Sequence, residues 1–181
     1  MNKIMKELGY TDSWIHLGII DLDTIESQYN EFLSSDSFSE HYRVDRLNKY
    51  LDQKISFTDK ELELLLEIFE DDKDLESTLY LNLLSNQELN KKQFEFVAKS
   101  FMDLGKWAID KLSLIRLERS LLANKLSKKD LIEIIDKQNA KEHHLILNCS
   151  NLEEDVLIYI AENSKFSKVV NKALNRAKKV K

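Results

Sequence analysis

Apolar residues recur at intervals of three and four along most of the chain. Leu22, Ile25, Tyr29, Phe32 and Leu33 form one set, Val44, Leu47 and Leu51 a second, and Leu62, Leu65, Leu66 and Phe69 a third. The spacing returns in Phe94, Val97, Ala98 and Phe101, in Ala108, Leu112 and Ile115, and in Leu131, Ile132 and Ile135. Side chains so placed share one face of an α-helix, whereas a half-buried strand needs strict alternation. Alternation is rare here, and the brief FEF at 94–96 is embedded in helical spacing. The pattern predicts an all-α chain of about nine short helices.

Three of the expected helix starts share one design. FTDKEL at 57–62, LNKKQF at 89–94 and LSKKDL at 126–131 each set an apolar residue, a capping residue and mostly polar positions before the next apolar residue. Thr58, Asn90 and Ser127 can each accept a hydrogen bond from an unpaired first-turn amide, and Glu61, Gln93 and Asp130 stand three residues on, where they can return the bond. The pairs Phe57 with Leu62, Leu89 with Phe94 and Leu126 with Leu131 occupy the two positions of a hydrophobic staple. LEEDVL at 152–157 keeps the apolar pair without the cap, and Ser37 with Glu40 offers a further capping box.

The anchors Phe57, Leu89, Leu126 and Leu152 are separated by 32, 37 and 26 residues, each interval having room for a helix, a turn and a second helix. A unit of that size cannot bury its apolar face alone, so it stacks on its neighbours. The expected architecture is a short right-handed α-solenoid of stacked helix pairs; an irregular helical bundle is the alternative. On this reading residues 1–181 form one all-α domain, with N-terminal capping helices over 1–56, helical repeats over 57–177 and a basic tail at 178–181.

LNCSNLEEDVLIYIAENSKFSKVVNKAL, residues 147–174, resembles one unit of the HEAT-like and leucine-rich-variant repeats of bacterial α-solenoids. Leu152, Val156, Leu157, Ile160, Ala161, Val169 and Ala173 stand where those repeats place apolar or small residues. The preceding units are similar to it more loosely, and the resemblance extends over residues 57–177. This chain departs from the repeats in lacking their usual prolines and in carrying lysine where their surfaces carry arginine. The resemblance implies a fold and a binding surface, not a reaction.

Composition agrees with helix. Average usage would give about nine prolines and about thirteen glycines, and the 181 residues contain no proline and three glycines. Part of the shortage reflects a Lys-, Asn- and Ile-rich composition of the kind an AT-rich genome imposes. With 43% hydrophobic and 33% charged residues the chain suits a soluble domain with a sizeable core, not a disordered or fibrous protein. A single cysteine, Cys149, cannot form an internal disulfide and reads as a small buried hydrophobe. The N-terminal stretch is broken by Asp12, Ser13 and His16 and lacks a small-residue cleavage site, and no segment approaches the roughly 20 apolar residues of a membrane span. A cytoplasmic protein with no membrane partner is expected.

The net charge of −5 conceals a strong asymmetry. Residues 1–90 hold 20 acidic and 8 basic side chains, and residues 91–181 hold 12 acidic and 19 basic. Such a dipolar chain can steer charged partners toward one end.

The sequence carries no recognisable catalytic or metal-binding motif. His143 and His144 are adjacent and diverge by about 100° on a helix, so they cannot grip one ion together, and one of them is expected to be buried or lateral. His16 and His41 have no cysteine nearby, and Glu40 and Asp45 around His41 read as helix-surface charge. No GxSxG, CxxC or HExxH occurs, and Gly9, Gly18 and Gly105 stand too far apart for a phosphate-cradling loop. Asp71, Asp72 and Asp74 lack the glycine and terminal glutamate of a calcium loop. No catalytic residue, metal or cofactor is expected.

Three surfaces are candidates for binding. One is the acidic segment Glu67, Glu70, Asp71, Asp72, Asp74 and Glu76, where a basic partner can dock. The second is the helix over 105–122, where Lys111, Arg116 and Arg119 accompany Trp107, unless Trp107 belongs to the core like its neighbours Ala108, Leu112 and Ile115. The third is the basic tail with Lys165, Lys168, Lys172, Arg176, Lys178, Lys179 and Lys181. The leading expectation is a non-catalytic interaction module for another protein with a basic surface, with an immunity- or antitoxin-like inhibitor as its specific form. Nucleic-acid binding or base processing through the basic half is the competing class.

Overall fold

The computed structural model describes residues 3–35, 38–69 and 73–180, and every regular element among them is a helix. Their contacts divide the chain into two compact units, residues 1–104 and 105–181. The first contains α1 (Lys3–Leu8), α2 (Asp12–His16), α3 (Leu22–Ser34), α4 (Ser39–Gln53), α5 (Asp59–Phe69), α6 (Lys73–Ser85) and α7 (Lys91–Met102). The second contains α8 (Lys106–Leu122), α9 (Lys128–Asp136), α10 (Ala140–Ile146), α11 (Glu154–Asn163) and α12 (Ser167–Val180). Among the described residues twelve helices thus replace the expected nine or so, because α1, α2 and α10 span only 6, 5 and 7 residues, too few to display a full apolar repeat.

Packing within each unit links alternate helices as well as consecutive ones. In the first unit α1 lies against α3 and α4, α4 against α6, and α5 against both α6 and α7. In the second, α8 meets α10, α9 meets α11, and α12 meets α10 and α11. The second core contains Ile135, Ile146, Leu157, Ile160, Val169 and Ala173, all essentially inaccessible. Burying each large aliphatic side chain of this set contributes about 1.5–3 kcal/mol.

The capping motifs form as the sequence suggests. Thr58 N donates to Glu61 Oε2 at 2.8 Å while Glu61 N donates to Thr58 Oγ1 at 3.2 Å. Asn90 with Gln93 and Ser127 with Asp130 complete reciprocal boxes. The Lys54 ammonium and the Thr58 amide hold the Glu61 carboxyl down to about 2. The start of α11 has no side-chain cap, and an ion pair between Asp155 in its first turn and Lys128 links it to α9. Of the further box expected in the first unit, Ser37 lies outside the described residues; α4 begins after Phe38, whose side chain forms no cap.

Polar side chains from distant positions tie the helix ends together. Buried Gln93 donates from Nε2 to the Phe57 carbonyl at 2.8 Å and to Asp59 Oδ1 at 3.1 Å. Arg43 Nη1 donates to the Leu8 carbonyl at 2.8 Å. Gly9, at φ +77°, leaves room for that guanidinium, which a Cβ there would strike. His143 is fully buried: its Nε2 lies 2.9 Å from the Ile135 carbonyl and its Nδ1 3.0 Å from Ser164 Oγ. Since a carbonyl only accepts, Nε2 carries a proton. Gln138, at φ +55°, ends α9 without a glycine and donates to the Asn163 carbonyl at 2.9 Å while accepting from Lys165 N at 3.0 Å. His144 is exposed, so the adjacent histidines face opposite environments.

Gln93→Ala is expected to cost about 2 kcal/mol in urea denaturation, because it strips the buried Phe57 carbonyl of its donor and breaks the box at Asn90. Lys92→Ala, which removes an exposed ion pair to Asp59, is expected to have little effect. Equal losses from the two substitutions would contradict this account.

Candidate interaction surfaces

The acidic segment is only partly described. Glu67 is exposed near the C-terminal end of α5, which has no basic residue in its last turn. A carboxylate there faces the negative end of the helix dipole, and Glu63 one turn earlier adds a like charge. Local electrostatics therefore oppose this arrangement, and a cationic partner would relieve it. Glu76 is half-buried on α6. Glu70, Asp71 and Asp72 lie outside the described residues, as does the side chain of Asp74.

Around this segment the charge is segregated between the two packing units. Residues 1–104 hold 22 acidic and 11 basic side chains, against 10 acidic and 16 basic over residues 105–181. The change of sign along the sequence falls close to the boundary between the units.

On α8 the four candidates do not share a face. Trp107, in the first turn, is 49% exposed, while Ala108, Leu112 and Ile115 are buried. Lys111 follows one turn later on nearly the same side and is exposed. Arg116 stands about 180° round the helix from Trp107, and Arg119 about 120°. Arg119 is half-buried, and burial lowers the affinity of its guanidinium for its proton. The structure therefore joins Trp107 with Lys111 and separates both from the arginines.

Two cations of the C-terminal helix have structural partners. Arg176 donates to the carbonyls of Leu147 and Cys149, the latter at 2.6 Å, and Lys172 Nζ donates to Asn148 Oδ1 at 2.6 Å. Lys165, Lys168, Lys178 and Lys179 are exposed. Lys178 and Lys179 lie within α12, and Lys181 lies outside the described residues.

Sequence reasoning did not identify a hollow of about 320 Å³ in the second unit. Leu121, Leu122, Leu126, Leu145 and Leu152 supply its apolar wall, and Asn124, Asn148 and Cys149 its polar edge. Its only local signal is the short stretch between α8 and α9, where Asn124 takes φ +50°. Cys149 is half-buried, and burial pushes its thiol up. Among the described residues no group of three or more His, Cys, Asp or Glu side chains is placed to hold a metal ion, and no helix is long and apolar enough to cross a membrane.

Comparison of the chain with protein-family models, curated proteins and solved structures finds no match. Trp14 is 2% exposed and Trp107 49% exposed, so Trp107→Phe is expected to abolish most of the acrylamide-quenchable tryptophan emission of the folded protein. Retention of that quenching would mean that Trp107 is enclosed.

Proposed function

We propose that this chain is a non-catalytic helical repeat protein of the HEAT-like type, a short right-handed α-solenoid serving as a protein–protein interaction module in the cytoplasm. Its partner is a protein with a basic surface, and the specific form of the reading is an immunity- or antitoxin-like inhibitor that covers a cationic site. The observation that carries it is the twofold excess of acidic over basic side chains in residues 1–104, with Glu67 exposed where the helix dipole disfavours it. Packing of alternate helices within each unit supports the repeat reading, as do the repeated capped starts.

A second reading, HEAT-like nucleic-acid binding through the basic half, draws on the exposed Lys165, Lys168, Lys178 and Lys179 and on Trp107 with Lys111. Arg176 and Lys172, engaged in hydrogen bonds within the fold, supply less to such a surface than the sequence suggests.

The test is affinity purification of the tagged full chain from its native cells at low salt, with and without nuclease. The expected result is a nuclease-resistant, near-stoichiometric basic protein whose association rate falls about tenfold in Glu67→Lys at low salt, as expected for a charge at the rim of a complementary surface. Recovery of nucleic acid alone would overturn the proposal in favour of the second reading.

A further inference from the structure

Among the described residues, three of the four buried side-chain polar atoms without a hydrogen-bond partner lie on α4: Tyr42 Oη, Arg46 Nε and Tyr50 Oη. Native proteins pair nearly all such atoms, and each one left unpaired costs about 1–3 kcal/mol. The three residues succeed one another at i, i+4 and i+8, forming one stripe along the helix. The Lys54 ammonium lies 5.6 Å from the Tyr50 ring centroid and interacts with the Tyr50 hydroxyl, which has no partner within ordinary hydrogen-bond geometry.

Two open hollows run beside this stripe. One, of about 400 Å³, lies between α3 and α4 over Gln28, Glu31 and Tyr42. The other, of about 580 Å³, extends past residues 18–23 to Tyr50 and Gln53. Arg46 and Lys49 border both. Together they follow α4 from His41 to Gln53, about 18 Å of helix, which is the length of five or six extended residues.

We infer that this groove receives an extended basic segment of a protein partner. The inference rests on the proposed function and specifies where that partner docks. Its first support is spacing. Four residues of helix advance about 6 Å, and two residues of extended chain advance about 6.6 Å. Carbonyls on one side of an extended segment therefore come nearly into step with Tyr42, Arg46 and Tyr50, whose N–H and O–H groups donate to them once the side chains turn into the groove. The second support is charge. The Lys49 ammonium is paired with Asp45 at 2.8 Å, while exposed Asp21, Asp23 and Glu31 stand along the rim. A segment offering carbonyls toward the stripe and lysine or arginine side chains toward the rim satisfies both requirements. Phe38, 72% exposed and edge-on to His41 at 5.9 Å, provides an apolar contact at one end.

The test uses the full chain and a peptide of about ten alternating Lys and Ser residues, longer than the groove, titrated calorimetrically at physiological ionic strength. The triple variant Tyr42→Phe, Arg46→Lys, Tyr50→Phe keeps the net charge and removes the unpaired groups. Its thermal midpoint is expected to equal or exceed that of the wild type, while its affinity for the peptide falls at least about tenfold, the equivalent of one charge-assisted hydrogen bond. Amide shifts on peptide addition are expected at residues 18–23 and along α4. Equal affinity for variant and wild type, absence of binding to the wild type, or shifts confined elsewhere would overturn the inference. A basic protein partner that binds the triple variant unchanged would overturn the groove and leave the proposed function intact. Variant-sensitive peptide binding in a protein whose cellular partner is nucleic acid would support the groove as a peptide site and overturn the proposed function.

Discussion

Every helix end leaves backbone groups that the helix itself cannot pair, and this chain has many short helices with no proline and three glycines to shape the turns between them. Its solution is to satisfy helix ends with side chains brought from elsewhere in the sequence. Arg43 reaches the end of α1, Gln93 reaches the carbonyl before the first capping box, His143 reaches the end of α9, and Arg176 holds the turn after α10. Three of these bonds join residues 27 to 36 positions apart, and the fourth joins consecutive helices, so the same contact that completes one helix also helps to position another. Apolar burial supplies the larger share of the free energy and is nondirectional. The polar ties add directed contacts to the close packing of the helices.

That arrangement has a consequence for surfaces. Where polar groups hold the turns they are withdrawn from binding, as Arg176 and Lys172 are in the basic half. Where polar groups remain covered and unpaired, as on α4, a partner has something to gain by supplying acceptors. Burial and hydrogen bonding thus separate two kinds of cationic residue that look alike in the sequence. The acidic excess of residues 1–104 is the same in either case.

The helices and their caps were largely legible because both are local. Thr58 with Glu61 and Asn90 with Gln93 can be read from three-residue spacing, and apolar positions such as Val156, Ile160 and Val169 bury as their pattern implies. Gln93 was legible as half of a capping box, whereas its second role at Phe57 was not, since nothing local reveals a carbonyl 36 residues away. Trp107 sits among core-like neighbours yet is half exposed, because the first turn of α8 leaves it on a different side from Ala108 and Leu112. The pairing of Trp107 with Arg116 failed for a simple reason of angle: nine residues carry a side chain to the far side of a helix. The stripe on α4 was hidden because tyrosine and arginine at four-residue spacing look like an ordinary solvated face until their surroundings are known.

The dependence of helix ends on distant side chains is tested most directly by native-state hydrogen exchange on the full-length Arg176→Met variant, which keeps most of the aliphatic stem and removes the guanidinium. The amides of Leu147, Asn148 and Cys149 bond within the turn that Arg176 holds. They are expected to exchange at least about tenfold faster than in the wild type, as loss of a charge-assisted hydrogen bond implies, while the amides of α9 keep their protection. Wild-type exchange rates at those three amides would show that the turn holds itself, and would contradict the account.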